Sequence, residues 1–171
     1  MPSVWFERVF KFDVPVELYP NIIERLRGTP ARLEERLREL SPEILTQRAG
    51  ERWSMQEHAG HLLDLEALEL ARLDDYEAGR AQLTPADLQN RKTYEAHYNE
   101  RTLASILSAF RAERTELVRR FEALGAANAG RAALHPRLNQ PMRVIDLALF
   151  TAEHDDHHLA HISELIRLFG K

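Results

Sequence analysis

Residues 153–161 read Glu153-His154-Asp155-Asp156-His157-His158-Leu159-Ala160-His161 and hold half of the chain's eight histidines. They lie inside a run of helical apolar spacing from Val144 to Phe169. On an α-helix, residues i and i+4 sit one above the other. His154 and His158 therefore point two imidazoles at one spot, while His157 turns away. Two imidazoles do not complete a metal site, so a chain built this way needs a second helix to bring a third ligand. The other histidine-bearing run, Trp53-Ser54-Met55-Gln56-Glu57-His58-Ala59-Gly60-His61-Leu62, opens with a capping box, Ser54 and Glu57, in which each side chain satisfies a backbone donor of the first turn. Its inward stripe is His61, Leu65 and Leu68, with Asp64, Glu66 and Glu69 expected at its edges or outside it. His61 is the expected third ligand.

Other assignments compete with this one. His157 and His161 form a second i,i+4 pair and are the runner-up ligands, and His58 is a substitute for His61 nearer the helix mouth. His97 and His135 stand alone in polar segments, where a solvated role is expected. Trp53, just before the cap, reads as a hydrophobic staple. Metal-bound histidines usually donate their other ring N–H to a carboxylate or carbonyl; Glu57 and Asp155 are the candidates here, with Asp156 and Glu153 behind them, and the acidic cluster reads equally well as a solvated rim.

Composition narrows the chemistry. With no cysteine among 171 residues, disulfides, thiolate ligands and a cysteine nucleophile are excluded. Any metal must be held by imidazole and carboxylate, and any thiol must come from outside. The net charge of -4 gives no electrostatic reason to bind nucleic acid or an anionic membrane. The first residues lack a basic segment followed by an apolar core, and no apolar run approaches the roughly 18 to 20 residues of a membrane span. A cytoplasmic protein of one domain over residues 1–171, acting on a small molecule, is the expectation.

In chain order, residues 1–19 read as an irregular arm anchored by Trp5, Phe6, Phe10 and Phe12. Residues 20–40 carry helical spacing broken at Gly28-Thr29-Pro30, where Thr29 can cap and Pro30 can occupy the first helical position. Ser41-Pro42 starts a brief turn. The capped helix runs from Ser54 to about Glu77, and residues 78–99 form a long crossover with a short helical turn from Pro85. Residues 102–124 are a third long helix, 126–141 a loop, and 144–169 the fourth, with no alternating strand pattern anywhere. The expected fold class is all-α, a four-helix bundle with one long crossover connection, an architecture that builds sites from side chains on facing helices.

Three neutral imidazoles with an open position describe a catalytic centre for a divalent metal, zinc or nickel first, iron or manganese next. Such a centre lowers the pKa of bound water to about 7 or deprotonates an incoming thiol. The chain also resembles the DinB/YfiT-like family of metal-dependent four-helix-bundle proteins along nearly its whole length. The resemblance rests on Arg25-Leu26-Arg27-Gly28-Thr29-Pro30-Ala31-Arg32, on Trp53-Ser54 with Glu57 and His61-Leu62-Leu63-Asp64-Leu65-Glu66, on His135-Pro136-Arg137, and on residues 153–162. It implies a metal held by His61, His154 and His158. It further implies a bacterial enzyme that activates a low-molecular-weight thiol for transfer to an electrophile, as in detoxification; the alternatives are hydrolysis by metal-bound hydroxide and a non-catalytic metal-binding or stress-response module. The last of these would dimerise through outward apolar residues such as Phe110 or Leu149.

Overall fold

The apolar periodicities all become helices in a computed structural model that describes residues 4–170. In chain order the elements are α1 (Tyr19–Leu37), α2 (Pro42–Leu45), α3 (Met55–Glu77), α4 (Arg91–Glu95), α5 (Leu103–Leu124), β1 (Ala132–His135), β2 (Gln140–Arg143) and α6 (Val144–Phe169). The four long helices form a bundle in which α1 and α3 each pack against both α5 and α6. Two apolar clusters fill it. Ile22 and Leu26, Leu73, Leu117 and Phe121, and Leu147 and Ala152 make one; Leu33 and Leu37, Met55 and Leu62, Ile106 and Phe110, and Leu159 and Ile162 make the other. Thus α1 and α6 run from the first cluster to the second, whereas α3 and α5 run the opposite way. Because α3 and α5 are parallel neighbours, the chain must travel back along the bundle between them. That requirement explains the long crossover of residues 78–102.

Between the two clusters every long helix contributes a polar residue at the same level: Thr29, Glu66 with Glu69, Arg114 and Asp155, all buried. Arg114, 2% exposed, is the hub. It donates to both oxygens of Glu66 at 3.0 and 3.1 Å through Nε, to Asp155 Oδ1 at 3.0 Å, and to the carbonyl of Leu26 at 3.3 Å. Glu66 and Glu69, expected at the edge of α3 or beyond it, are therefore interior, and so is Asp64.

The same guanidinium corrects the expected break at Gly28-Thr29-Pro30, for α1 is continuous through Pro30. A proline inside a helix leaves the carbonyl four residues earlier without its N–H partner. Here that carbonyl belongs to Leu26, and Arg114 supplies the donor from another helix. Thr29, expected as a cap, donates instead to Asp155 Oδ2 at 2.7 Å.

Three other expectations are corrected. Residues 132–135 and 140–143 pair as an antiparallel hairpin, Ala132 opposite Arg143, with Asn139 at φ 49 in the turn; strands of four residues are too short to display an alternation. No helical turn starts at Pro85, because Thr84 Oγ1 donates to the buried Asp75 at 2.8 Å and Asp87 accepts from the backbone of Gln89 and Arg91, postponing the helix to α4. Phe110 is buried, and Leu149 packs on the first cluster, so neither is an outward face. Residues 1–3 of the expected arm lie outside the described residues; from Val4 on it is irregular apart from 3₁₀ turns at Trp5–Glu7 and Val16–Leu18. Trp5, Phe10 and Phe12 pack on the core, but Phe6 is 54% exposed. Arg143 holds the arm through the carbonyls of Val14 and Phe12 at 2.9 and 3.3 Å.

The crossover is pinned where Tyr98 lies flat over Gly60 of α3 and donates to Asp64 Oδ1 at 2.7 Å. A β-carbon at Gly60 would overlap the Tyr98 ring. Although alanine is favoured over glycine in a helix by about 1 kcal/mol, overpacking here costs about 1 to 3 kcal/mol. Gly60→Ala should lower the urea midpoint; a raised midpoint would mean that the crossover is not seated on α3.

Candidate metal centre

Helix α3 is fixed at its start by Ser54, whose Oγ accepts from the Glu57 N–H at 3.1 Å while Glu57 Oε2 accepts from the Ser54 N–H at 2.9 Å, as the sequence signature requires. Two turns further on, His61 faces α6. The structure brings His61, His154 and His158 together, with one ring nitrogen of each lying within 4.8 Å of the others. His154 Nε2 and His158 Nε2 are 3.1 Å apart.

The outward nitrogens decide which ring atoms are free. Thr93 Oγ1 donates to Asp64 Oδ2 at 2.9 Å, so it accepts the proton of His61 Nδ1, also at 2.9 Å. That leaves His61 Nε2 with a bare lone pair. His158 Nδ1 lies 2.8 Å from His58 Nδ1; the tautomer in which His158 donates frees its Nε2 as well. Burial pushes His61 down to about 4 and His58 to about 3, and takes His154 and His158 well below the ordinary imidazole value. All are neutral at pH 7, the protonation state a metal ligand needs. In the tautomers that leave both Nε2 atoms bare, the two lone pairs at 3.1 Å repel unless something positive lies between them. Two nitrogens bound at roughly 2.05 Å in a tetrahedral centre would be about 3.3 Å apart, so the separation fits a shared cation.

The other histidines and the acids fall into different places. His58 does not stand in for His61 but bonds His158. His157 packs on Trp5 at 5.5 Å and on His161 at 4.6 Å, and His161 stacks on His58 at 5.2 Å. Glu57 is engaged by the cap and by Arg48 Nε at 2.8 Å, and Asp155 by Arg114 and Thr29, so neither touches a histidine. Glu153 bonds Arg8 at 2.6 Å and Arg25 at 2.7 Å, and Asp156 bonds Arg32 at 2.7 Å. The partner that orients His61 comes from the crossover as Thr93, which has no sequence signature. Trp53 does meet His58 as a staple would, at 5.6 Å, but it also covers His61 at 4.7 Å and becomes a wall of the site. Trp5 closes the other side, edge-on to His154 at 4.8 Å. His97 is exposed as expected; His135 is buried, contrary to expectation, because the hairpin folds it inward against Phe150.

The three rings open into a cavity of about 460 Å³ lined largely by apolar and aromatic side chains, among them Leu65, Leu68, Phe150 and Trp5, with Glu66 and Glu69 also in its wall. Burial raises both carboxyls, Glu66 to about 7 despite its bonds to Arg114.

A long-crossover bundle that presents three imidazoles from two helices to one cavity fits a metalloprotein. The chain belongs to the DinB superfamily, whose family model matches residues 25–162. It is similar in fold to YfiT from Bacillus subtilis, at a TM-score of 0.82 and 19% identity over 96% of this chain and 94% of that one; YfiT is described as a probable metal-dependent hydrolase with an unusual four-helix bundle topology. A search of curated sequences finds no match. Among the described residues no helix is long and apolar enough to cross a membrane.

The buried histidines give the metal-free protein a pH signature. Unfolded, each binds a proton near 6.5; folded, His61 does so only near 4. The unfolded chain therefore holds more protons between those values, and stability falls as pH drops from about 6.5 towards 4. The expected slope is about 1.4 kcal/mol per pH unit for each histidine kept neutral. Urea unfolding of metal-free protein between pH 7.5 and 5 measures it, and a flat profile would show that the rings are solvated.

Proposed function

We propose that His61, His154 and His158 hold one divalent metal ion, and that the protein is an enzyme which uses it to activate a low-molecular-weight thiol for transfer to an electrophile. The observation that carries the reading is the convergence of three neutral imidazoles, each able to offer a free Nε2, in the wall of a cavity of about 460 Å³. When bound, such a cation supplies the Lewis acidity that makes water or a thiol nucleophilic near neutral pH. Zinc and nickel suit an all-imidazole set best, with iron and manganese behind them. Asp64 and Thr93 hold the His61 ring in one tautomer, and His58 bonds the His158 Nδ1. Trp5 and Trp53 pack against the rings, and the apolar wall of Leu65, Leu68 and Phe150 is there to hold the electrophile's body. The cysteine-free chain leaves the thiol to come from solution. A cytoplasmic location belongs to the same reading, since that compartment keeps small thiols reduced.

Hydrolysis is the second reading. It is favoured by Glu66, whose carboxyl in the cavity wall is raised to about 7 and so suits proton transfer near neutral pH, and by the description given to YfiT.

His158→Ala should leave a helical protein that retains less than a tenth of the metal found by elemental analysis of the parent. Thr93→Val, which cuts the His61 relay while keeping the ligands, should weaken metal binding roughly 10- to 100-fold. Unchanged metal content in the first would remove the assignment. Metal-loaded protein incubated with 1-chloro-2,4-dinitrobenzene and a panel of thiols should consume the electrophile only when a thiol is present. Turnover of 4-nitrophenyl acetate without thiol would favour hydrolysis, and inertness in both assays a binding module.

A further inference from the structure

One wall of the cavity has no part in holding the histidines. The hairpin turn carries His135 and Arg137 into it, one helical turn from the metal centre: the His135 ring packs on Phe150 at 5.4 Å, and Phe150 precedes His154 by four residues on α6. His135 Nδ1 accepts the Leu138 N–H at 3.2 Å. The ring's proton must then sit on Nε2, which is buried and bonded to nothing among the described residues. Arg137 Nη2 is likewise buried and without an acceptor. Its guanidinium lies over the rings of Phe6 at 5.2 Å and Phe150 at 5.8 Å and pairs with no carboxylate among the described residues. Leaving such donors unmet inside a protein costs stability. The nearby guanidinium of Arg72 adds to that cost by opposing the charge on Arg137.

We propose that His135 and Arg137 form a recognition site for a substrate carboxylate, so that the electrophile is a carboxylic acid with an apolar or aromatic body. Two inward N–H donors, one on a planar guanidinium, match the two oxygens of a carboxylate. Phe6 and Phe150 both lie against the guanidinium and extend the apolar wall to the site, giving the body of the acid a surface to lie on. A phosphate dianion suits the cavity less well, because Glu66, Glu69 and Asp155 line it too and a second negative charge would face them. The inference rests on the metal reading only for where the reacting bond lies; the carboxylate site is defined by the hairpin alone.

Isothermal titration calorimetry with phenylacetate, phenylacetamide and phenyl phosphate tests it on metal-free and metal-loaded protein. Phenylacetate should bind both forms saturably, phenylacetamide and phenyl phosphate at least tenfold more weakly. Arg137→Met, checked for an unchanged helical spectrum, should weaken phenylacetate roughly 10- to 100-fold, with Arg137→Lys between it and the parent. Should Arg137→Met fail to fold, the Lys variant and the metal-free parent still decide the question. Phenylacetate binding that needs metal and ignores both Arg137 substitutions would place the carboxylate on the metal and overturn the site while sparing the metal centre. Binding that depends on Arg137 in a protein unable to retain metal would do the reverse. Equal or tighter binding of phenyl phosphate, or no saturable binding of phenylacetate to either form, overturns the proposal.

Discussion

A single buried guanidinium ties the bundle together. Arg114, carried by α5, bonds Glu66 of α3, Asp155 of α6 and the Leu26 carbonyl of α1, so one side chain meets all four long helices at the level where the two apolar clusters part. A buried charge is costly to bring out of water, and an interior ion network is seldom the cheapest way to fill a core. What it does fix is rotation and register. Asp155 follows His154 directly, and Glu66 lies five residues beyond His61; with both carboxylates clamped, neither helix can turn without breaking the network. The aim of the imidazoles follows from that clamp.

The surroundings of the rings extend the same logic outward. Each of His61 and His158 has its Nδ1 bound by a partner that belongs to a separate part of the chain or the opposite helix: Thr93 on α4 for one, His58 on α3 for the other. Two tryptophans from two further segments pack against the rings. The crossover, which the parallel course of α3 and α5 makes necessary, thus also delivers the residue that orients a ligand. The irregular N-terminal arm and the hairpin, both outside the bundle proper, finish the cavity with Trp5, Phe6, His135 and Arg137.

How far the sequence could be read follows from what each signal depends on. Helical spacing and the Ser54–Glu57 cap are local, and they placed α3, α5 and α6 nearly to the residue; the i,i+4 geometry of His154 and His158 with the inward stripe of α3 was enough to bring three histidines together. The continuity of α1 was not legible, because it depends on a donor 88 residues away that meets the Leu26 carbonyl. The polar layer left a trace that periodicity contains. Arg114 falls between Phe110 and Leu117 on the stripe of α5, Glu66 and Glu69 between Leu62 and Leu73 on α3, and Asp155 four residues before Leu159 on α6. Charged residues in core slots on three helices at once announce a buried network. Thr93 and His135 gave no such trace, since a short helix and a four-residue strand carry no pattern that points a side chain inward.

The central claim is that imidazoles from α3 and α6 share one cation. X-ray absorption at the metal edge of protein loaded with one equivalent of zinc measures it most directly. The account predicts a first shell of three imidazole nitrogens at about 2.0 to 2.1 Å with the outer-ring scattering of histidine, plus one exchangeable oxygen ligand. A shell built mainly from oxygen, or one whose imidazole scattering is unchanged by His61→Ala, would contradict it.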